Sequence, residues 1–343
     1  MGKSTFLRED LVPEIVSRQW LPVYIDLWAN RDADPALLII EAIKAELLAF
    51  DTGVSKAAKR VGLTKITVAG ISLDLHQPGL PDNFTLSMLL ERLHAVSGKP
   101  IVLIVDEAQQ ALKTLSGLTL MFALKSARDH LNRSNEKPCL MLVFTGSQRD
   151  KLAHLVQKKD QPFFGANITA FPLLGLDFVS KFTIWANSHF AQDNRFSVDA
   201  VFEAFKLVGH RPEMLRTIIG QVALAGEAEN LSSILASKAT EIHTQIWDEM
   251  TNAFAALTPL QKAIMKVVIS KHGKAYQPFS EDAMIEYRCN VVDEPVTIAG
   301  VQSTLDILRD RGLIWNPSRG IYALEDEGFV EWYRFFEKTQ ESI

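Results

Sequence analysis

The chain has 343 residues, 47% of them hydrophobic and 22% charged, with a formal net charge of −5. That composition belongs to a folded globular protein, and the length predicts two or three domains. It gives no support to a protein that coats nucleic acid by bulk positive charge, although a local basic patch could survive it, and no run of about 18 uncharged apolar residues is present to span a membrane. The N-terminus lacks the charged and apolar regions of a signal peptide, so the cytoplasm is the expected compartment. Cys139 and Cys289 lie far apart and are read as core thiols rather than a disulfide or metal pair.

The first five residues are Met-Gly-Lys-Ser-Thr, and "FLREDLVPEIVSRQW" follows with apolar residues at Phe6, Leu7, Leu11, Ile15 and Val16. That spacing predicts a helix, which Pro13 should kink or interrupt with an irregular turn. "LPVYIDLW" reads as a buried strand, and "DPALLIIEAIKAELLAF" as a helix capped by Asp34 with Pro35 at its first position. "KITVAGISLDL" alternates as a hairpin does, inserted between core elements. "TLSMLLERLHAVSGK" returns to helix, and "PIVLIVDEAQQ" is an apolar strand ending in two carboxylates. A fully apolar strand is expected inside a parallel sheet covered on both faces. A helix is predicted over 116–133, and "CLMLVFTGSQRDKL" is a second apolar strand with a polar end. Strands alternating with helices predict an α/β class with a parallel sheet.

From Leu176 to about Met250 every periodic stretch is helical. A third unit begins at "LTPLQKAIMKVVISKHG", with two more helical stretches and two short strands around an Asn-Pro-Ser-Arg-Gly turn. Three helices followed by a hairpin is the order of a winged helix-turn-helix. The expected organisation is a core at 1–175, a helical lid at 176–250 and a winged-helix domain at 251–343.

The chemistry concentrates at two places. Asp106 and Glu107 close the apolar run "IVLIV", and ligands of open α/β sheets sit at the carboxyl ends of strands. One carboxylate there can hold magnesium while the other polarises a water; a solvated strand end is the plainer alternative. Gly2, Lys3 and Ser4 match the end of G-x-x-x-x-G-K-[ST], a loop whose N–H groups wrap phosphates ahead of a helix. A strand and the first glycine of that motif would lie upstream of Met1. The eight histidines show no metal-ligand spacing.

In "GKSTFLREDL", "IVLIVDEAQ" and "LVFTGSQRDKL" the chain resembles the P-loop ATPases of the AAA+/STAND type, and most closely their archaeal-ATPase-like branch with a C-terminal winged helix. The resemblance covers essentially the whole chain and implies a P-loop core lacking its first strand, a lid and a winged helix. It implies ATP and magnesium as ligands: Gly2, Lys3 and Ser4 in the phosphate loop, with Thr5 near the nucleotide, and Ser4 and Asp106 at the metal. It implies that Glu107 orients the attacking water. "VFTGS" would be the sensor strand, acting through Thr145 or Ser147, where a plain strand-end turn needs no ligand. "GHRPEMLR" resembles the family's lid turn, from which Arg211 or Arg216 could reach the phosphates; a capped helix with solvated arginines is the alternative. No arginine follows Arg149 at the end of the core, where Lys158 and Lys159 stand instead, a departure from finger-dependent rings.

A DNA-reading helix needs polar side chains toward bases and cations toward phosphates. "TIAGVQSTLDILRDRG" offers Gln302, Ser303 and Thr304, and Arg319 with Lys262, Lys266, Lys271 and Lys274 could make a small basic patch, yet residues 257–343 hold ten Lys and Arg against thirteen Asp and Glu. A protein partner or self-association therefore ranks above DNA for this part of the chain. The sequence reads as a nucleotide-driven switch, with a catalytically impaired scaffold or an ATP-regulated DNA-binding protein as the alternatives.

Overall fold

The computed structural model describes residues 2–30, 32–50, 65–68, 71–74, 78–81, 84–133, 137–190, 195–224, 231–273, 276–292 and 295–341. The chain divides into two compact units, Ser4–Asn167 and a second comprising Met1–Lys3 with Ile168–Ile343.

In the first unit, the parallel strands β1 (Leu21–Asp26), β4 (Ile101–Asp106) and β5 (Leu140–Phe144) form a sheet of order β1-β4-β5. Asp26 stands opposite Asp106, so both edge and central strand end at one level. β4 is buried along its whole length, which is why its six residues carry no polar alternation. On one sheet face lie α3 (Pro35–Phe50), α4 (Leu86–Ser97) and α5 (Leu115–Asn132). Their inward residues recur at helical spacing, as in Ile39, Ile43 and Leu47 or Leu86, Leu89, Leu90 and Leu93. Each such side chain contributes about 1.5–3 kcal/mol on burial.

The opposite face is covered by the N-terminal helical segment through Leu7 and Ile15, against Val102 and Ile104. That segment runs as α1 (Lys3–Phe6), a π-turn at Leu7–Leu11, and α2 (Val12–Ser17). The π-turn supplies the irregularity expected of Pro13: proline has no N–H to give, and Val12 N–H instead reaches back to Leu7 O. α3 starts at Pro35 with Asp34 accepting from Ala36 N–H at 2.8 Å, and α4 is capped by Thr85 and closed by left-handed Gly98. The predicted hairpin is present as antiparallel β2 (Lys65–Val68) and β3 (Ile71–Asp74), while the residues around it lie outside those described.

The short α6 (Arg149–Ala153) follows β5 in the first unit. The second unit holds two apolar cores. One is built by α7 (Leu176–Asn187), α8 (Val198–Leu207), α9 (Pro212–Leu224) and the start of α10 (Leu231–Ala255), around Val179, Phe205, Leu215 and Leu235. The other gathers α11 (Pro259–Ser270), α12 (Glu281–Asn290), α13 (Ile298–Asp310), the hairpin β6 (Ile314–Ser318) and β7 (Ile321–Leu324), and α14 (Gly328–Glu341). This is the helix, helix, helix, hairpin order read from the sequence. The aromatic run on α14 packs inward at Trp332, which is 1% exposed and whose indole N–H donates to Thr251 at 3.0 Å. One cysteine corrects the sequence reading. Cys139 is buried, but Cys289 is exposed, because it falls on the outer face of the short α12, whose inward positions are Ala283, Met284 and Tyr287. Among the described residues no helix is long and apolar enough to cross a membrane.

Candidate functional site

At the carboxyl end of β4 the chain turns sharply, and the turn determines where the two acids point. Asp106 is the last strand residue and only 1% exposed. One carboxylate oxygen accepts from the Thr145 hydroxyl and from the Glu107 N–H at 3.1 Å; the other accepts from the Tyr24 hydroxyl at 3.0 Å. Glu107 then takes a left-handed conformation, φ 58°, uncommon for a residue with a side chain and frequent at functional sites. That turn carries the backbone into the 3₁₀ helix Ala108–Lys113 and swings the Glu107 carboxylate toward β5. There it accepts from the Gln109 amide, from the Ser147 hydroxyl at 2.8 Å and from the Ser147 N–H at 3.4 Å.

The two strand ends are joined by backbone as well. Ala108 N–H donates to Thr145 O at 2.8 Å, and Thr145 N–H to Val105 O at 3.1 Å. Adjacent side chains on a strand point to opposite faces, yet here both acids meet groups from β5's end, because the chain leaves strand geometry at Glu107. Two buried carboxylates thus stand together, each held by neutral donors.

Three participants carried no role in the sequence reading. Tyr24 reaches Asp106 because β1 pairs with β4 in register, with Tyr24 opposite Ile104. Burial, with Asp106 adding to it and Arg8 opposing, pushes the Tyr24 hydroxyl up to about 12. Arg8 lies over the Tyr24 ring at 4.8 Å and pairs with Asp26 at 3.4 Å; its own pKa is raised, chiefly by the Tyr24 hydroxyl. Gln109 is 4% exposed, and its amide oxygen has no hydrogen-bond partner among the described residues. Gly146 allows that approach: a Cβ there would stand 2.5 Å from the Gln109 amide oxygen. The sequence signal for Tyr24 was its alternation with Asp26 in "VYID", which acquires meaning only once the register is known.

The remaining sequence-predicted residues are placed as follows. Gly2 has φ 64°, the left-handed conformation expected of a loop glycine, and Lys3 is half-buried at the head of α1. Ser4 and Thr5 are exposed on α1. Thr145 and Ser147 are both engaged, the first with Asp106 and the second with Glu107. Arg211 belongs to the second unit, where it pairs with Asp326 at 3.5 Å, and Arg216 lies over the Trp185 ring at 5.9 Å. In the turn before α9, Gly209 and His210 both have positive φ, His210 Nδ1 bonds Leu174 O at 2.9 Å, and α9 begins at Pro212.

Among the described residues no cluster of three His, Cys, Asp or Glu could hold a metal by itself. The donors near Asp106 are all oxygens, from a carboxylate and hydroxyls, and this suits a hard cation such as magnesium that keeps most of its waters and needs few protein ligands.

No protein-family model matches the chain, and no curated protein matches it. Solved structures do. The Walker-type ATPase of Pyrococcus abyssi aligns with a TM-score of 0.51 at 17% identity, over 97% of this chain and 88% of that one. The ORC2 protein of Aeropyrum pernix, determined in its ADP form, aligns with a TM-score of 0.53 at 12% identity, over 95% and 80% respectively. At these identities the likeness is one of fold, and the chain has the α/β P-loop ATPase fold, with a parallel three-stranded sheet and many helices.

Proposed function

We propose that this protein binds MgATP at the carboxyl ends of β4 and β5 and hydrolyses it slowly, nucleotide state acting as a switch. The observation that carries the reading is the pair Asp106 and Glu107: buried, adjacent and held by Tyr24, Thr145, Ser147 and Gln109. Burying two carboxylates side by side is costly unless each is hydrogen-bonded, and a fold tolerates it where the charges have work to do. Ser4 and Asp106 would hold magnesium and Thr5 would lie beside the nucleotide, while the Gly2 N–H and the Lys3 ammonium would serve its phosphates. The metal, when bound, offsets charge on the transferring phosphoryl group.

Glu107 is the base. Its carboxylate orients a water in line with the γ-phosphorus and takes its proton as the new oxygen–phosphorus bond forms. The bond from that phosphorus to the bridging oxygen breaks, and ADP leaves with the electron pair. Thr145 keeps Asp106 aimed by its hydroxyl, and Ser147 does the same for Glu107. ATP binding and phosphate release, measured for wild type, Glu107→Gln and Asp106→Asn, test this. Glu107→Gln should bind and fail to turn over, while Asp106→Asn should lose magnesium-dependent binding.

A scaffold without turnover is the second reading, and one observation favours it. All three donors to the Glu107 carboxylate sit on Oε2, so that oxygen is committed to the protein and only Oε1 is left to meet a water. Wild type that binds ATP without releasing phosphate would select that reading. In the helix-hairpin domain, α13 speaks for protein contacts over DNA: Gln302 donates to Asp306 of its own helix at 3.2 Å.

A further inference from the structure

A groove of about 620 Å³ opens in the second unit between the end of α10, α11, the end of α12 and α14. It is independent of the strand-end carboxylates, and α13 does not line it. Its floor is aromatic. Phe254 and Tyr333 are buried and Phe336 half-buried, with ring centroids 5.7 to 6.2 Å apart. Along one wall Lys262 and Lys266 stand one helical turn apart, both half-buried. Across from them the Glu337 carboxylate accepts from the Tyr333 hydroxyl.

The lysines are the telling feature. Elsewhere Lys44, Lys206 and Lys238 each pair with a glutamate three residues away. Lys262 and Lys266 have no ion pair or hydrogen bond among the described residues, although the chain has 41 acidic residues against 36 basic. Two cations beside an aromatic floor complement an anion that carries an apolar body. Size decides between occupants. One turn of α-helix, taken as a cylinder about 10 Å across, already fills roughly 420 Å³, so a peptide helix of useful length overruns the groove. A compact ligand fits the usual range of about 300–1,000 Å³.

We propose that this groove binds a small amphiphilic carboxylate, with its apolar body on Phe254, Tyr333 and Phe336 and its carboxylate between Lys262 and Lys266. The test is calorimetric titration of the intact chain with 2-naphthoate, and in parallel with the neutral 2-naphthamide. Wild type should bind naphthoate saturably at one site. Lys262→Ala/Lys266→Ala should weaken that binding by about tenfold or more, because a charge-assisted bond is lost, and leave the amide unaffected. Ala255→Trp, at an exposed position on the rim, should block both ligands while circular dichroism stays that of wild type. No saturable binding up to about 10 mM would overturn the proposal, as would equal naphthoate affinity in wild type and the lysine variant. Naphthoate binding unaffected by Ala255→Trp would also overturn it, by placing the site elsewhere. So would lysine-dependent binding of an acidic amphipathic peptide without binding of naphthoate, which would assign the groove to a protein.

Discussion

Asp106 and Gln302 each stand where their element would meet a ligand, and their surroundings are opposite. Asp106 is buried and held by groups from β1, from the end of β5 and from its own turn. Gln302 is exposed and tied to Asp306, four residues along the same helix. A side chain constrained by several elements keeps one geometry while solvent and neighbours fluctuate. One tied within its own helix is merely a helix-surface pair worth about 0.2–0.5 kcal/mol. Preorganisation from outside the element therefore makes the first a candidate site and leaves the second as surface.

The largest effect that could break this contrast is at Glu107. Glu107→Gln should lower phosphate release by about 10²–10⁴-fold while ATP binding persists, since the base is lost and the shape kept. Undiminished release from a preparation free of other ATPases would mean that the strand-end pair is no more functional than α13.

Gly146→Ala comes next. The new methyl would meet the Gln109 amide oxygen at 2.5 Å, and that side chain cannot retreat without leaving Glu107 and Ser147. A loss of about 1–3 kcal/mol is expected from urea unfolding with unchanged m-value. An unchanged midpoint would show that Gln109 moves freely and that the Glu107 clamp is loose.

Tyr24→Phe should cost about 1 kcal/mol for the bond to Asp106. It should also change the alkaline limb of stability. Burial lifts the Tyr24 pKa from its ordinary 10.0 to about 12, so the folded state favours the neutral phenol. Its contribution is complete below pH 10 and is lost as pH rises through about 12, and Tyr24→Phe should flatten that interval. Tyr287 and Tyr333 are raised by burial too, so the flattening is partial. A wild-type alkaline profile in Tyr24→Phe would remove Tyr24 from the network.

Arg211→Ala should change stability by no more than about 1 kcal/mol, because its pair with Asp326 is half-exposed. Reduced turnover at unchanged melting temperature would support the phosphate role implied by the lid turn; unchanged turnover would leave Arg211 with Asp326 alone. The smallest expected effect is at Gln302→Ala, within about 0.5 kcal/mol in thermal melts. Salt-sensitive duplex binding that Gln302→Ala abolishes would erase the contrast from the other side.

The sequence by itself determined the elements and their order. Apolar runs at strand length, helical periodicity, Asp34 as a cap and Pro35 at a helix start are local signals, and local energetics alone decide them. It also singled out Asp106 and Glu107, since carboxylates ending a fully apolar strand are visible in one dimension. Only the tertiary structure brought Tyr24 to Asp106, 82 residues away in sequence, and Ser147 to Glu107, 40 away. Strand register carries no local signature, because any alignment of apolar strands buries similar area. The left-handed turn at Glu107, the close approach at Gly146 and the exposed side of Cys289 are likewise consequences of packing. Each depends on which neighbour a residue meets, and that is settled only when the sheet and its helices close on one another.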